Sequence, residues 1–392
     1  MDSRTILVLT NDAGLGHRQA AQATVDALEQ RYGELCQTVL VNPLEEPGVP
    51  RSLRNVQYDF NRVVRLAPPL YALGHGLANT YLPTRLMEQM EVRTLADPID
   101  RVLRRARPDV VVTTHPIFVY LLVTHRRRCG ETWPIVVLVT DLAQLQRLWF
   151  RPEVDLYLVP TADAAALAVQ RGIAPERVHV TGIPVDPRLD ALRRSKAELR
   201  AEFGWDVDRP VVLAVGSRRV HRFHAFVDAL NESGLPIQLV VVAGDDEELL
   251  AEMRAVAWRV PAHVYGYVRD FPTRLQAADL IVTKAGGLTV AESLAVGLPL
   301  FIIQCTPMHE KGNARYVVDQ GAGLRLEDPA QLVAALRRAL ADDGRLLAQL
   351  AANARAVGQP RAAYAAAELI WAQAERGMLS PSLLADPELP VT

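Results

Sequence analysis

Residues 279–299 read DLIVTKAGGLTVAESLAVGLP. Leu280 to Thr283 is a short β-rich apolar run, the composition of a buried strand. It ends in Lys284-Ala285-Gly286-Gly287, and the pattern predicts a helix starting near Thr289. The free amides of Gly286 to Thr289 then face outward. The helix dipole adds partial positive charge, so the turn reads as a phosphate cradle. Glu292 lies one turn into the helix. A carboxylate beside a phosphate site needs another purpose, and the two hydroxyls of a ribose would supply it. Thr289-x-x-Glu292 also has the spacing of a capping box, which would account for the glutamate without any ligand.

The same unit opens the chain. TILVLT (5–10) is a strand, and NDAGLGHRQAAQA (11–23) carries Gly14 and Gly16 before a helical pattern with Ala20, Ala21, Val25 and Leu28 on one face. His17 falls in the first turn of that helix, where an imidazole can reach whatever lies at the loop. A histidine merely packed at a helix start fits the local pattern equally well.

Between these two units the chain alternates strands and helices. QTVLVN (37–42), DVVVTT (109–114), IVVLVT (135–140), LYLVP (156–160) and VHVTG (178–182) are strands of a first series, with helices at 18–31, 95–106 and 161–171 among those between them. VVLAVGS (211–217), IQLVVVAG (237–244), HVYGY (263–267), LIVTKAGG (280–287) and LPLFIIQ (298–304) form a second. The fold class is α/β: two Rossmann-like, doubly wound domains facing a central cleft, with ligands beyond the carboxyl ends of the strands. The expected divisions are a first domain at 1–187, a linker at 188–209 that is rich in charge and lies between Pro187 and Pro210, and a second domain at 210–360. A helix at 361–378 would pack back across the cleft, and 379–392 would be a loose tail.

At 392 residues, two domains are the natural expectation. A net charge of −2 gives no reason to expect nucleic acid as a partner. Cys36, Cys129 and Cys305 are widely spaced and imply neither a disulfide nor a metal motif. No signal peptide opens the chain and no apolar run approaches the ~18 residues of a membrane span, so a cytoplasmic protein is expected. One segment stands out. Residues 46–94 are helical and amphipathic, with Tyr58, Phe60, Tyr71 and Tyr81 among Arg51, Arg54, Arg62, Arg65, Arg85 and Arg93. Residues 51–107 hold ten arginines against five acidic residues. That mixture suits an anionic membrane surface, and also an ordinary solvated helix face.

After strand Leu300–Gln304 comes TPMHEKGNARYVVDQGAG (306–323), where Pro307, His309, Glu310 and Asn313 gather polar groups at a strand end. With this loop the ordered set is complete: NDAGLGHRQAAQA, RPDVVVTTHP (107–116), VTDL (139–142), LWF (148–150), VTGIPVDP (180–187), TKAGGLTVAES (283–293), GLPLFI (297–302) and PMHEKGN (307–313). Over residues 4–325 it resembles the monogalactosyldiacylglycerol synthase and processive diacylglycerol glucosyltransferase family. That family is related to the N-acetylglucosaminyltransferase of the lipid II pathway. The resemblance implies the GT-B fold, with the acceptor in the first domain and a UDP-sugar in the second.

Carried over by position, the resemblance makes Glu292 the ribose-binding glutamate. Gly286, Gly287, Leu288 and Thr289 become the diphosphate loop, flanked by Lys284. Gly266, Tyr267 and Val268 would meet uracil, and Gly16, Gly216, Ser217 and Arg218 would border the donor. His309, Glu310 and Asn313 would face the sugar. His17 resembles the histidine at the reacting centre and Asp141 an acceptor-side aspartate that is the second candidate base. His115, Gln146 and Trp149 fall on the acceptor side. The chain departs from the pattern in having Gln146 where the family usually has histidine, and His309 where it has glutamine. Its loop at Gly216-Ser217-Arg218-Arg219 carries few glycines. The donor fold does not depend on these positions; the choice of sugar and acceptor does.

The implied activity is inverting hexosyl transfer from a UDP-sugar to a lipid such as diacylglycerol, at the inner face of the cell membrane. A base takes the acceptor proton, and the helix N-terminus with Arg218 or Arg219 carries the diphosphate charge. No metal or other cofactor is expected. Asp206-Val207-Asp208 has the Asp-x-Asp pattern of metal-dependent transferases, but it precedes a strand rather than ending one. The competing readings are a soluble UDP-sugar epimerase-like enzyme, disfavoured by the 46–94 segment, and a nucleotide-sugar-binding protein without transferase activity, favoured by the departures.

Overall fold

The computed structural model describes residues 3–12, 16–54, 81–191, 194–217, 220, 222–304 and 309–376, and of residues 52, 81–83, 304 and 309 the backbone alone. Gly14, Arg218, Arg219, Pro307, the side chains of Tyr81 and His309, the 379–392 tail and, from the 46–94 segment, Tyr58, Phe60, Arg62, Arg65 and Tyr71 lie outside the described residues.

The described strands make two six-stranded sheets, all of whose pairings are parallel. The first comprises β1 (Arg4–Leu9), β2 (Cys36–Val41), β3 (Val110–Thr113), β4 (Ile135–Leu138), β5 (Leu156–Val159) and β6 (Val178–Val180), in the order β2-β1-β3-β4-β5-β6. The second comprises β7 (Val211–Val215), β8 (Gln238–Val242), β9 (Ala262–Tyr265), β10 (Leu280–Lys284), β11 (Leu300–Gln304) and β12 (Gly323–Arg325), in the order β12-β11-β10-β7-β8-β9. Ile6 to Leu9, Val110 to Val112, Ile135 to Leu138 and Leu156 to Val159 are all buried. Helices cover both faces of such a sheet, which is why its strands read as unbroken apolar runs.

An aspartate pins the amino ends of these strands in both halves. Asp109, just before β3, accepts from the Thr5 amide of β1 at 2.8 Å, and Asp279, just before β10, accepts from Val211 of β7 at 2.9 Å. Asp155 does the same for Ile135 at 2.6 Å. Each carboxylate satisfies an amide that would otherwise end its ladder unpaired, and so helps set the register.

Strand order reverses between β1 and β3 in the first sheet and between β7 and β10 in the second. The carboxyl ends at those two switch points carry the segments singled out above, His17 with His115 on one side and Gly216 with Gly286 on the other. The halves are packed together there. Ala20, Leu142 and Ile183 share one buried cluster with Leu288, Ala291 and Leu294.

The described residues of 188–209 cross between the halves but are not loose. The helix Lys196–Phe203 has a full capping box from Ser195 and Glu198, and Leu199 and Trp205 are buried in the second core. The helix Ala362–Arg376 returns to the first sheet. Its Ala363, Ala366, Ala367, Ile370 and Trp371 bury against Ile6, Val8, Ala21 and Leu28, and Trp371 stacks on Tyr32 at 4.3 Å.

Candidate active site

β1 ends at Leu9, and the helix Gly16–Tyr32 places His17 second in its first turn. The His17 Nδ1 lies 2.9 Å from the Thr114 carbonyl oxygen and 2.7 Å from Thr140 Oγ1. A carbonyl oxygen only accepts, so Nδ1 carries the hydrogen and Nε2 holds the lone pair. Thr114 and Thr140 follow β3 and β4, so two strand ends fix one imidazole. The Thr114 hydroxyl in turn lies 3.0 Å from that of buried Thr10 and 3.2 Å from the His17 carbonyl.

His115 sits against this ring, edge to face, with centroids 4.6 Å apart. Its Nδ1 accepts the Ile117 amide at 3.3 Å, which leaves any ring proton on Nε2. Burial first, and then the charge of His17, push its pKa well below the ordinary histidine range. Only one histidine of the pair is therefore suited to take up a proton. Asp141 lies three residues past β4, is partly exposed, and makes no hydrogen bond or ion pair among the described residues.

Across the cleft, the helix Gly287–Ala295 begins two residues earlier than its sequence suggests. Gly286 is its N-cap, in extended conformation with no side-chain cap, and the first intrahelical bond runs from the Val290 amide to the Gly286 carbonyl at 2.9 Å. The amides of Gly287, Leu288 and Thr289 thus precede any helical partner. This corrects the capping-box reading. Thr289 lies inside the helix, and Glu292 caps nothing.

Glu292 is buried, and its carboxylate too has no hydrogen bond or ion pair among the described residues. Burial, with a smaller contribution from the charge of Asp186, raises its pKa to about 8. Asp186 is held by Arg188, whose Nε and Nη2 reach its Oδ2 at 3.0 and 2.6 Å. A buried carboxylate without a partner is costly unless something brings donors to it.

The two helix starts nearly touch. A Cβ on Gly16 would stand 3.7 Å from Leu288 Cβ, and one on Gly287 only 2.4 Å from the Thr140 carbonyl oxygen. Gly287→Ala should therefore push the halves apart where His17 is held. Overpacking of this kind costs about 1–3 kcal/mol. Thermal melting should register that loss and turnover should fall with it; a variant as stable and active as the parent would mean the cleft opens freely at this point.

Some anticipated contacts are otherwise employed. The fully buried Asn313 donates from Nδ2 to the Ala285 carbonyl at 3.1 Å and accepts the Leu142 amide on Oδ1 at 3.0 Å. It straps one half to the other rather than facing a sugar. Glu310 is buried, with Oε1 2.5 Å from Lys284 Nζ, so it neutralises that lysine beside Gly286. Trp149 is 1% exposed, a core residue of the first half with its ring 6.4 Å from His17, and does not form an acceptor surface. Gln146 precedes it at the start of a short 3₁₀ turn.

Gly216 and Gly266 fit their positions for steric reasons. A Cβ on Gly216 would fall 2.6 Å from Leu249 and 2.9 Å from Phe223, and one on Gly266 3.1 Å from Leu250. Ser217 begins the turn closed by the Val220 amide at 2.9 Å. Tyr267 is 59% exposed, and Val268 packs on the second core. Sequence reasoning missed Thr114, Thr140 and Asp186. The first two close the valine-rich runs 109–114 and 135–140, but nothing local marks them as partners of His17.

Two Rossmann-like sheets meeting at their switch points define the GT-B class of sugar-nucleotide enzymes. The fold of Acinetobacter baumannii MurG is similar (TM-score 0.57, 17% identity, 94% of this chain and 99% of that one). So is that of the Neisseria meningitidis UDP-GlcNAc 2-epimerase bound to UDP-GlcNAc (TM-score 0.61, 12% identity, 95% and 100%). Residues 17–185 match the family model for monogalactosyldiacylglycerol synthase, and residues 211–369 that for the glycosyltransferase family 28 C-terminal domain. Monogalactosyldiacylglycerol synthase 3 of Arabidopsis thaliana is 29% identical over 372 residues, 92% of this chain and 79% of that protein. The spinach (Spinacia oleracea) synthase is 28% identical over 371 residues, 92% and 71%. The chain belongs to the monogalactosyldiacylglycerol synthase family and is a hexosyltransferase of glycosyltransferase family 28.

Proposed function

We propose that the protein transfers a hexosyl group from a UDP-sugar to the free hydroxyl of diacylglycerol, with inversion, as a peripheral enzyme on an anionic membrane. The observation that carries this reading is His17, held through Nδ1 by Thr114 and set against the start of the Gly287–Ala295 helix. With the lone pair on Nε2, His17 takes the proton of the acceptor hydroxyl as its oxygen attacks the anomeric carbon. The bond from that carbon to the diphosphate oxygen breaks, and UDP leaves. The amides of Gly287 to Thr289 and the dipole behind them carry its charge, with Lys284 nearby. Glu292 receives the ribose hydroxyls, and the backbone at Gly266 to Val268 meets the uracil. Asp141 is the second candidate base. No step in this scheme calls on a metal or other cofactor.

Membrane contact is supported by the helix Tyr81–Ala106. Leu86, Met87 and Met90 are 62%, 40% and 65% exposed, and Arg85 and Arg93 flank them on the surface. Apolar side chains beside arginines suit the headgroup boundary of an anionic leaflet. No helix among the described residues is long and apolar enough to cross a membrane. The inner face of the cell membrane is the proposed location.

The test supplies labelled UDP-galactose or UDP-glucose with vesicles of diacylglycerol and phosphatidylglycerol. Labelled monohexosyldiacylglycerol is the expected product. Release of an altered sugar nucleotide, or binding of UDP with no turnover, would replace this reading with an epimerase-like enzyme or a binding protein. In flotation, the wild type should rise with the vesicles, less so as salt shortens the ~10 Å Debye length of 0.1 M. Leu86→Glu/Met90→Glu should rise less at every salt concentration, and equal flotation of the two proteins would remove this helix from the membrane face.

A further inference from the structure

On the far side of the first half, three unlike side chains converge. The helix Ile117–Cys129 places His125 and Cys129 four residues apart, one turn above the other on one face. The neighbouring helix Tyr81–Ala106 contributes Asp100. One ligand atom from each residue lies within 4.8 Å of the others. We propose that Asp100, His125 and Cys129 bind a divalent cation of the zinc class, at a site separate from the cleft.

The donor set argues for the ion. A thiolate, an imidazole nitrogen and one carboxylate oxygen select zinc or cobalt over magnesium or calcium, which prefer oxygen alone. Around tetrahedral zinc, bonds of about 2.0–2.3 Å put donor atoms roughly 3–4 Å apart, within a side-chain rotation of the spacing here. Three protein donors leave the fourth position to water.

The surroundings are compatible with a cation. Cys129 is the last residue of its helix, which Gly130 ends in left-handed conformation at φ 67°. The partial negative charge of the helix carbonyls gathers at that end. The Trp133 indole lies nearly parallel to the His125 ring at 6.4 Å and limits its tilt. Two arginines oppose the cation: the charge of Arg128 acts on His125, and Arg104 Nε lies 2.7 Å from Asp100 Oδ2. That arginine side chain is 78% exposed, so the pair is a weak surface one, and Oδ1 remains for the metal.

Location separates the site from the chemistry. The helix leaves the cleft just after His115 and runs back for 13 residues, about 20 Å at 1.5 Å per residue. A bound ion would tie the long helix that bears Leu86 and Met90 to its neighbour. Its effect falls on stability rather than on turnover.

The test is cobalt titration of the full chain, reduced and stripped with EDTA, followed by competition with zinc. One equivalent should bind with a thiolate-to-cobalt charge-transfer band, and zinc should abolish the band and raise the melting temperature. Cys129→Ser should lose the band, and His125→Ala should weaken binding more than about tenfold. Both should fold and melt as the metal-free parent does. Arg104→Gln should tighten binding by freeing Asp100. Absence of binding at micromolar zinc, or binding unchanged in the Cys129 and His125 variants, would overturn the proposal. So would a weaker site in Arg104→Gln, because the arginine would then be helping to build the site rather than competing for it.

Discussion

Replacing His17 by alanine should lower kcat by about 10²–10⁴, the range for losing a general base, and leave UDP affinity within about twofold. The asymmetry follows from where the residue sits. His17 lies in the first helix of the first half, whereas the groups assigned to UDP start a helix of the other half. An interaction made only as the acceptor loses its proton appears in the rate and not in donor binding. The wild-type rate should also fall on the acid side of neutrality, as the imidazole takes a proton from solvent and can no longer take one from the acceptor. His17→Ala should lack that limb. Thr140→Val keeps the Thr114 carbonyl on Nδ1 and removes one of its two oxygen neighbours, so it should lose less. Steady-state kinetics across pH, with calorimetry for UDP, decides the matter. Near-wild-type turnover in His17→Ala would transfer the role of base to Asp141 and leave the histidine as a packing residue at a helix start.

The assignment rests on contacts of very different legibility. The strand-turn-helix units at 5–23 and 279–299 were readable because each is local. A buried parallel strand is an apolar run, and a tight turn into a helix takes glycine. Two such series of strands are enough to place His17 and Gly287 at strand ends. What holds His17 was not readable, because Thr114 and Thr140 lie 97 and 123 positions away. Only the order of strands brings their ends to one imidazole.

The misread residues share that cause. Asn313 looked like a sugar contact from its polar loop, yet its partners are Leu142, 171 positions away, and Ala285. A side chain that bridges two halves carries no local signature. Trp149 looked like acceptor surface from its motif, yet a large ring near a strand end fills the core. The capping box at Thr289 failed for a local reason that spacing does not show. Gly286 can take the extended N-cap conformation, so the helix begins before the threonine and the glutamate is left without the amide it would have capped.

That stranded glutamate carries the second large effect expected. Glu292→Gln should weaken UDP binding by roughly 1.5–3 kcal/mol, ten- to a hundredfold, if its carboxylate receives the ribose hydroxyls as a charged acceptor. The raised pKa adds a sign that a simple loss of contact would not have. Burial lifts the folded-state value to about 8, from an ordinary 4.5. The acid form is therefore favoured in the folded protein. Its stabilising contribution is full below pH 4.5 and is lost as pH rises through 8, where the buried anion must form. Glutamine has no such loss, so the melting temperature of the variant should gain on the wild type between pH 5 and pH 9. Binding runs the other way. Donated hydroxyls favour the anion, so wild-type affinity for UDP should rise through pH 8 and the complex should release a proton on forming. The variant should show neither. Calorimetry in buffers of different ionisation enthalpy measures that proton directly. If both proteins bound UDP alike at every pH while only the melting curves differed, Glu292 would be a buried acid with no part in holding the donor.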